Sequence, residues 1–137
     1  MDSKLLEHLH EEAKLAREFS HSPYSRFAVG AALKLKDSDK IIRGCNIENA
    51  SIGATICAER VALVKLRSEN KKPQIEAIMI VTAEAKATPP CGICLQSLAE
   101  FCGPDLEIYL ANLSGVMEKL QFKDLLPRTF RSFESNL

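Results

Sequence analysis

A surplus of either charge is the first thing missing from this 137-residue sequence: Lys+Arg and Asp+Glu number 18 each. No basic run appears, so nothing offers the electrostatic grip that nucleic acid requires. No apolar stretch approaches the roughly 18 residues that cross a bilayer. The opening "MDSKLLEHLHEEAKLAREF" reads as an amphipathic helix and not as a secretory signal. The expectation is a cytoplasmic protein with no nucleic-acid or membrane partner. No repeat, low-complexity tract or Pro/Gly/Ser-rich linker interrupts the chain, so residues 1–137 are expected to form one domain around one core. Hydrophobic residues at 46% and charged residues at 26% fit an ordinary globular balance. A net charge of zero does little to keep copies apart, which permits self-association. Histidine is scarce: His8, His10 and His21 all lie early in the chain and read as surface or boundary residues.

What is present is a clear alternation of elements. Leu5, Leu6, Leu9, Ala13, Ala16 and Phe19 recur at helical spacing, predicting a helix over about 3–19 that "SPYS" ends at Pro23. "FAVGAALKLK" (27–36) alternates, predicting a strand with one face in the core. "IIRGCNI" (41–47) reads as its antiparallel partner across "DSDK". The second half of "ENASIGATICAERVALVKLRSEN" is a helix, and "IEAIMIVTA" (75–83) is a strand buried on both faces. "PPCGIC" opens a helix over "CLQSLAEFC". "LEIYLAN" (106–112) and "VMEKLQF" follow as strands, and "FKDLLPRTF" as a short terminal helix. The order α, β, β, α, β, α, β, β, α predicts a mixed sheet with helices on both faces.

The five cysteines, Cys45, Cys57, Cys91, Cys94 and Cys102, are odd in number. In a reducing compartment they serve as metal ligands, nucleophiles or core fillers rather than disulfide partners. Cys91 and Cys94 form a C-x-x-C at a predicted helix start, and Cys57 stands at another. Helix N-termini favour thiolates through unpaired N–H groups and the helix dipole. Catalytic zinc takes three protein ligands and leaves a fourth position to water, and no fourth Cys or His stands near either segment. Glu59 lies two residues past Cys57. In a continuous helix those side chains diverge by about 200°, so they can share a site only if Cys57 still belongs to the entering chain. A glutamate there would move protons, and Arg60 would draw negative charge from the sulfurs. Each part has a plainer reading. A lone C-x-x-C also suits a redox pair or half of a zinc knuckle, and a lone Cys is usually a small core residue, the role expected of Cys45 and Cys102. Arg60 alone would be a solvated helix residue. The combination of C-x-E with P-C-x-x-C is the constellation of the zinc deaminases of nucleobases.

"SPYSRFAVGAALKL", "GCNIENAS", "TICAERVAL", "PPCGICLQSLAEF" and "LLPRTF", taken in order from about residue 4 to 130, resemble the small homotetrameric cytidine deaminase family. The resemblance implies a three-layer α/β/α sandwich with a mixed five-stranded sheet. It implies one Zn2+ per chain on Cys57, Cys91 and Cys94, with Glu59 as the proton shuttle. The reaction implied is hydrolysis of cytidine and 2′-deoxycytidine to the uridines, with release of ammonia, in pyrimidine salvage. Phe27 and the backbone of Ala58 would meet the base. Asn46 and Glu48 would hold the 3′-hydroxyl side of the sugar; two apart in extended chain, they project to one side, and an amide with a carboxylate suits a diol. Phe130 would pack near a base in a neighbouring subunit's site. The sequence departs from the family at Ile52, where Tyr is frequent, and at Leu95, where Arg is frequent. Neither change removes a ligand. The alternatives are a related deaminase of another aminonucleoside, such as blasticidin S, and a non-enzymatic zinc-binding module.

Overall fold

A computed structural model describes residues 1–131. Its elements are α1 (Ser3–Arg17), β1 (Gly30–Leu35), β2 (Ile41–Cys45), a 3-10 turn (Ile52–Ala54), α2 (Ala58–Glu69), β3 (Ile75–Val81), α3 (Gly92–Ala99), β4 (Glu107–Ala111), β5 (Val116–Gln121) and α4 (Phe122–Leu125). Five strands form one sheet in the order β2-β1-β3-β4-β5. β1 pairs antiparallel with both β2 and β3, β3 pairs parallel with β4, and β4 pairs antiparallel with β5. The parallel pair needs a crossover, which α3 supplies.

Side-chain alternation divides the core into two layers. Ala32, Ala77, Met79, Val81, Tyr109 and Ala111 pack with Leu9 and Ala13 of α1 on one face. Leu33, Ile42, Ile78, Ile80, Ile108 and Leu110 pack with α2 and α3 on the other, through Leu63, Leu66, Leu95 and Leu98. The result is the expected three-layer α/β/α sandwich with a mixed five-stranded sheet.

Two glycines set how closely helices approach the sheet. A Cβ on Gly30 would lie 2.0 Å from the Ala13 carbonyl oxygen of α1. A Cβ on Gly44 would lie 2.4 Å from the Ala58 carbonyl oxygen and 2.5 Å from the Ala62 nitrogen of α2. The first turn of α2 therefore rests directly on β2.

Several sequence expectations need correction. β1 begins at Gly30, not Phe27, and all six of its residues are buried, because it lies between two strands and under helices on both faces. Burial there extends to Lys34, whose ammonium group pairs with Glu76 at 3.1 Å and donates to the Ser38 carbonyl at 2.7 Å. His10 is not a boundary residue; it is buried, with Nε2 2.8 Å from the Asn112 carbonyl oxygen. The terminal helix covers only Phe122–Leu125 of "FKDLLPRTF". α3 stops at Ala99, short of Cys102. Cys45 and Cys102 are buried, in keeping with core packing.

Candidate metal centre

The strand directions explain why distant cysteines meet. β2 and β3 are both antiparallel to β1, so they run the same way and end at the same edge of the sheet. The chain leaving each strand at that edge leads into a helix on the same face, α2 after β2 and α3 after β3. Cys57 is the N-cap of α2 and Cys91 the N-cap of α3, both with extended backbone. Cys94 is the third residue of α3, one turn from Cys91 and facing the same way. The Cys57 and Cys91 sulfurs are 4.0 Å apart, and all three Sγ atoms lie within 4.8 Å of one another. Among the described residues no other three potential ligands cluster in this way.

The donor set fits zinc. Tetrahedral coordination at a Zn–S distance of about 2.3 Å places sulfurs about 3.8 Å apart. All five cysteines are free thiols. Neither Cys57 nor Cys91 spends its side chain on capping its own helix. Hydrogen bonding from the Cys94 thiol, aided by Arg60 and Cys91, pulls Cys57 down to about 5. The reciprocal bond to Cys57, with burial and the nearby Glu59, pushes Cys94 up. Ionising one of these adjacent sulfurs disfavours ionising the other, and a dication supplies the charge needed to ionise both. Thiolates are soft ligands that select zinc over hard cations. Three thiolates with Zn2+ carry a net charge of −1, and Arg60 stands beside them, its Nη2 3.8 Å from Cys57 Sγ and 3.2 Å from the Thr55 carbonyl oxygen.

Glu59 is the second residue of α2, Cys57 still belongs to the entering chain with extended backbone, and the Glu59 carboxyl lies close enough to interact with both Cys94 and Cys57. Only 5% of Glu59 is exposed, and burial pushes its carboxyl up to about 7, with Cys57 adding to the rise. A carboxyl balanced near neutrality can both accept and return a proton.

Asn46 and Glu48 lie beside this cluster for a backbone reason. Ile47 and Ile56 exchange hydrogen bonds of 2.9 Å in both directions, so residues 46–48 run antiparallel to the segment that enters Cys57. On the other side, His21 N–H donates to the Asn46 carbonyl and Glu48 N–H to the His21 carbonyl. Both side chains are buried and largely occupied. Asn46 Oδ1 accepts from Val29 N–H at 2.9 Å and from the Ser20 hydroxyl, while its Nδ2 donates to the Phe27 carbonyl at 2.6 Å. Glu48 Oε1 accepts from the Tyr24 and Ser25 N–H groups at 2.9 and 3.1 Å, and Oε2 accepts from the Ser25 hydroxyl. The capacity left over is one N–H of Asn46 and a lone pair of Glu48 Oε2. That leaves room for one hydroxyl, which gives and receives one bond.

The remaining candidates are more scattered. Phe27 is half-buried and joined to Asn46 through its carbonyl. Ala58 is fully buried against β2. Ile52 lies in the 3-10 turn and is 64% exposed. Phe130 is 58% exposed, and its carbonyl accepts from Gln96 Nε2 at 2.7 Å. The structure thus brings Cys57, Glu59, Arg60, Cys91 and Cys94 together, with Asn46, Glu48 and Phe27 alongside, and leaves Ile52 and Phe130 facing outward. Sequence reasoning missed Ser20 and Ser25, which hold the Asn46 and Glu48 side chains. Their only signal was "SHSPYS" (20–25), a run rich in serines, whose short hydroxyl side chains bond readily to nearby groups.

The same combination recurs in known proteins. Residues 3–110 match the family described as the cytidine and deoxycytidylate deaminase zinc-binding region. The chain is 48% identical to a cytidine deaminase of Halalkalibacterium halodurans, over 92% of this chain and 94% of that one. It is 42% identical to a cytidine deaminase of Sporosarcina psychrophila, over 91% and 90% of the two chains. The crystal structure of cytidine deaminase from Burkholderia pseudomallei superposes with a TM-score of 0.85 at 41% identity, covering 95% of this chain and all of that one. With Cys57 and the Cys91–Cys94 pair inside the matched span, the chain belongs to the zinc-binding cytidine deaminase family.

Proposed function

We propose that this protein hydrolyses cytidine and 2′-deoxycytidine to uridine and 2′-deoxyuridine, releasing ammonia. The observation that carries this reading is a buried glutamate at the second position of α2, beside three sulfurs spaced for one zinc ion. Cys57, Cys91 and Cys94 would hold the metal, and bound zinc supplies an acidified water as the nucleophile for C4 of the pyrimidine. Glu59 takes a proton from the attacking water and delivers it to N3, then carries the second proton, from the hydroxyl added to C4, to the amino group, so that the C4–N bond breaks, ammonia leaves and the C4 carbonyl forms. Arg60 offsets thiolate charge. The Ala58 backbone and Phe27 position the base, and Asn46 with Glu48 holds a sugar hydroxyl.

The working form we propose is a cytoplasmic homotetramer in which residues 1–137 of each chain are one catalytic domain; residues 132–137 lie outside the described part. Ile52 and Phe130 would then complete a neighbour's pocket. Two features support assembly. A groove of about 850 Å³ along α2 and α3 is lined by Ile56, Val64, Ile93 and Phe101, with Ile93 largely exposed. Arg60 Nε, at its margin, is buried without a hydrogen-bond partner among the described residues. No nucleic-acid or membrane partner enters this reading, and no helix among the described residues is long and apolar enough to cross a membrane.

The test follows cytidine and deoxycytidine loss by ultraviolet absorbance with protein of known zinc content. Turnover that stops when zinc is removed and returns when it is restored is the expected result. No turnover at about one zinc per chain would refute the substrate. Ile52, in place of an aromatic ring, favours as second reading a deaminase of another aminonucleoside, which ammonia release in a substrate screen would reveal.

A further inference from the structure

We infer that Ser25 is a positioning residue that couples sugar recognition to base recognition through a single hydroxyl. This rests on the proposed reading of Glu48 as a sugar-facing residue and Phe27 as a base-facing one. The Ser25 oxygen accepts a hydrogen bond from Phe27 N–H at 3.0 Å. Its only proton is directed to Glu48 Oε2. The backbone N–H groups of Tyr24 and Ser25 bind the other carboxylate oxygen, Oε1, and would by themselves leave the carboxylate free to turn about that point. The Ser25 hydroxyl stops that turn and aims the remaining lone pair of Oε2.

A second observation shows that the segment is held in one shape. Arg26, between Ser25 and Phe27, has φ of 59°, a left-handed conformation that a non-glycine residue keeps only where its surroundings hold it. Arg26 N–H donates to the Ser22 carbonyl at 2.9 Å, closing the turn. The far end of the segment is tied as well, because Asn46 Nδ2 donates to the Phe27 carbonyl and Val29 N–H donates to Asn46 Oδ1. Phe27 is therefore bonded through its N–H to the residue that orients Glu48, and through its carbonyl to Asn46. A base that displaces Phe27 disturbs both sugar-facing side chains.

The experiment compares 2′-deoxycytidine with 2′,3′-dideoxycytidine, which differ by one sugar hydroxyl, as a ratio of kcat/KM values. In Ser25→Ala that ratio should fall about tenfold, the size expected for a lost bond to a charged group. The change should appear mainly in KM for deoxycytidine, and Ser25→Thr should restore the ratio. General destabilisation would lower both substrates together and leave the ratio unchanged. Glu48→Gln is measured alongside. A ratio that falls in Glu48→Gln but not in Ser25→Ala overturns the role of Ser25 and leaves the sugar reading standing. A ratio unchanged in Glu48→Gln overturns the sugar reading itself. If Ser25→Ala does not fold, Ser25→Cys, close in shape but a weak donor, takes its place and the same ratio decides.

Discussion

Gly44→Ala inserts one methyl group where helix α2 already lies. The new Cβ would sit 2.4 Å from the Ala58 carbonyl oxygen and 2.5 Å from the Ala62 nitrogen, whereas ordinary contact begins at 3.4 Å. Both obstacles are backbone atoms of one helix, so no side chain can swing aside and the helix must retreat by about 1 Å. Overpacking of this kind costs about 1–3 kcal/mol, and rigid neighbours place it at the upper end. The larger effect falls on the site. Cys57 stands at the start of this helix and Glu59 lies in its first turn, so both move with it. A displacement of about 1 Å at reacting groups costs about 10²-fold in rate. Urea unfolding should report the stability loss, and kcat/KM at a temperature where the variant stays folded should report the rate loss. Gly103→Ala, where a Cβ meets nothing within 4 Å, should change neither. Wild-type stability and turnover in Gly44→Ala would refute the direct seating of α2 on β2.

Other outcomes follow from the same geometry. Glu59→Gln should retain its zinc and fold while losing about 10²–10⁴-fold in kcat, the usual size of a general acid–base contribution; near-normal turnover would remove Glu59 from proton transfer. Cys91→Ala should lose zinc by metal analysis together with activity, whereas Cys102→Ala should keep its zinc, since burial pushes that thiol up to about 12 and it packs in the core. The Ser25 hydroxyl, and then the Ser25 and Tyr24 N–H groups, hold the Glu48 carboxyl below its ordinary 4.5 despite burial. A depressed carboxyl stabilises the fold above its unfolded value and loses that contribution as pH falls through the folded value. The stability gap between wild type and Glu48→Gln should therefore be full above pH 4.5 and shrink in acid; a gap independent of pH would contradict this.

Much of this arrangement was legible in the sequence because it depends on local pattern. The helical spacing around Leu9 and Ala13, the apolar run of β3, and cysteines at two helix starts are each visible within a dozen residues. What stayed hidden depends on tertiary neighbours. Alternation in "FAVGAALKLK" resembles a half-buried strand, and nothing within it reveals that a strand will pair on both sides and hide Lys34. His10 bonds to a carbonyl 102 residues away, beyond any window of pattern. Residue types nominate Asn46 and Glu48, but only the folded chain shows how many of their bonding positions are already taken. Ser20 and Ser25 look like turn formers because serine is common in turns; their work for buried side chains more than twenty residues on becomes visible only when the chain is folded.

Cys57 and Cys91 each begin a helix, and neither side chain caps its own. A metal drawn onto both sulfurs becomes the shared terminus of two helices that no disulfide joins. Its binding free energy then belongs to folding as much as to catalysis. The stability of the protein acquires a dependence on solution composition that no core residue can give it. Once free zinc exceeds the dissociation constant, each tenfold change shifts stability by about 1.4 kcal/mol. Unfolding midpoints measured in different buffers would therefore report metal buffering as well as the protein.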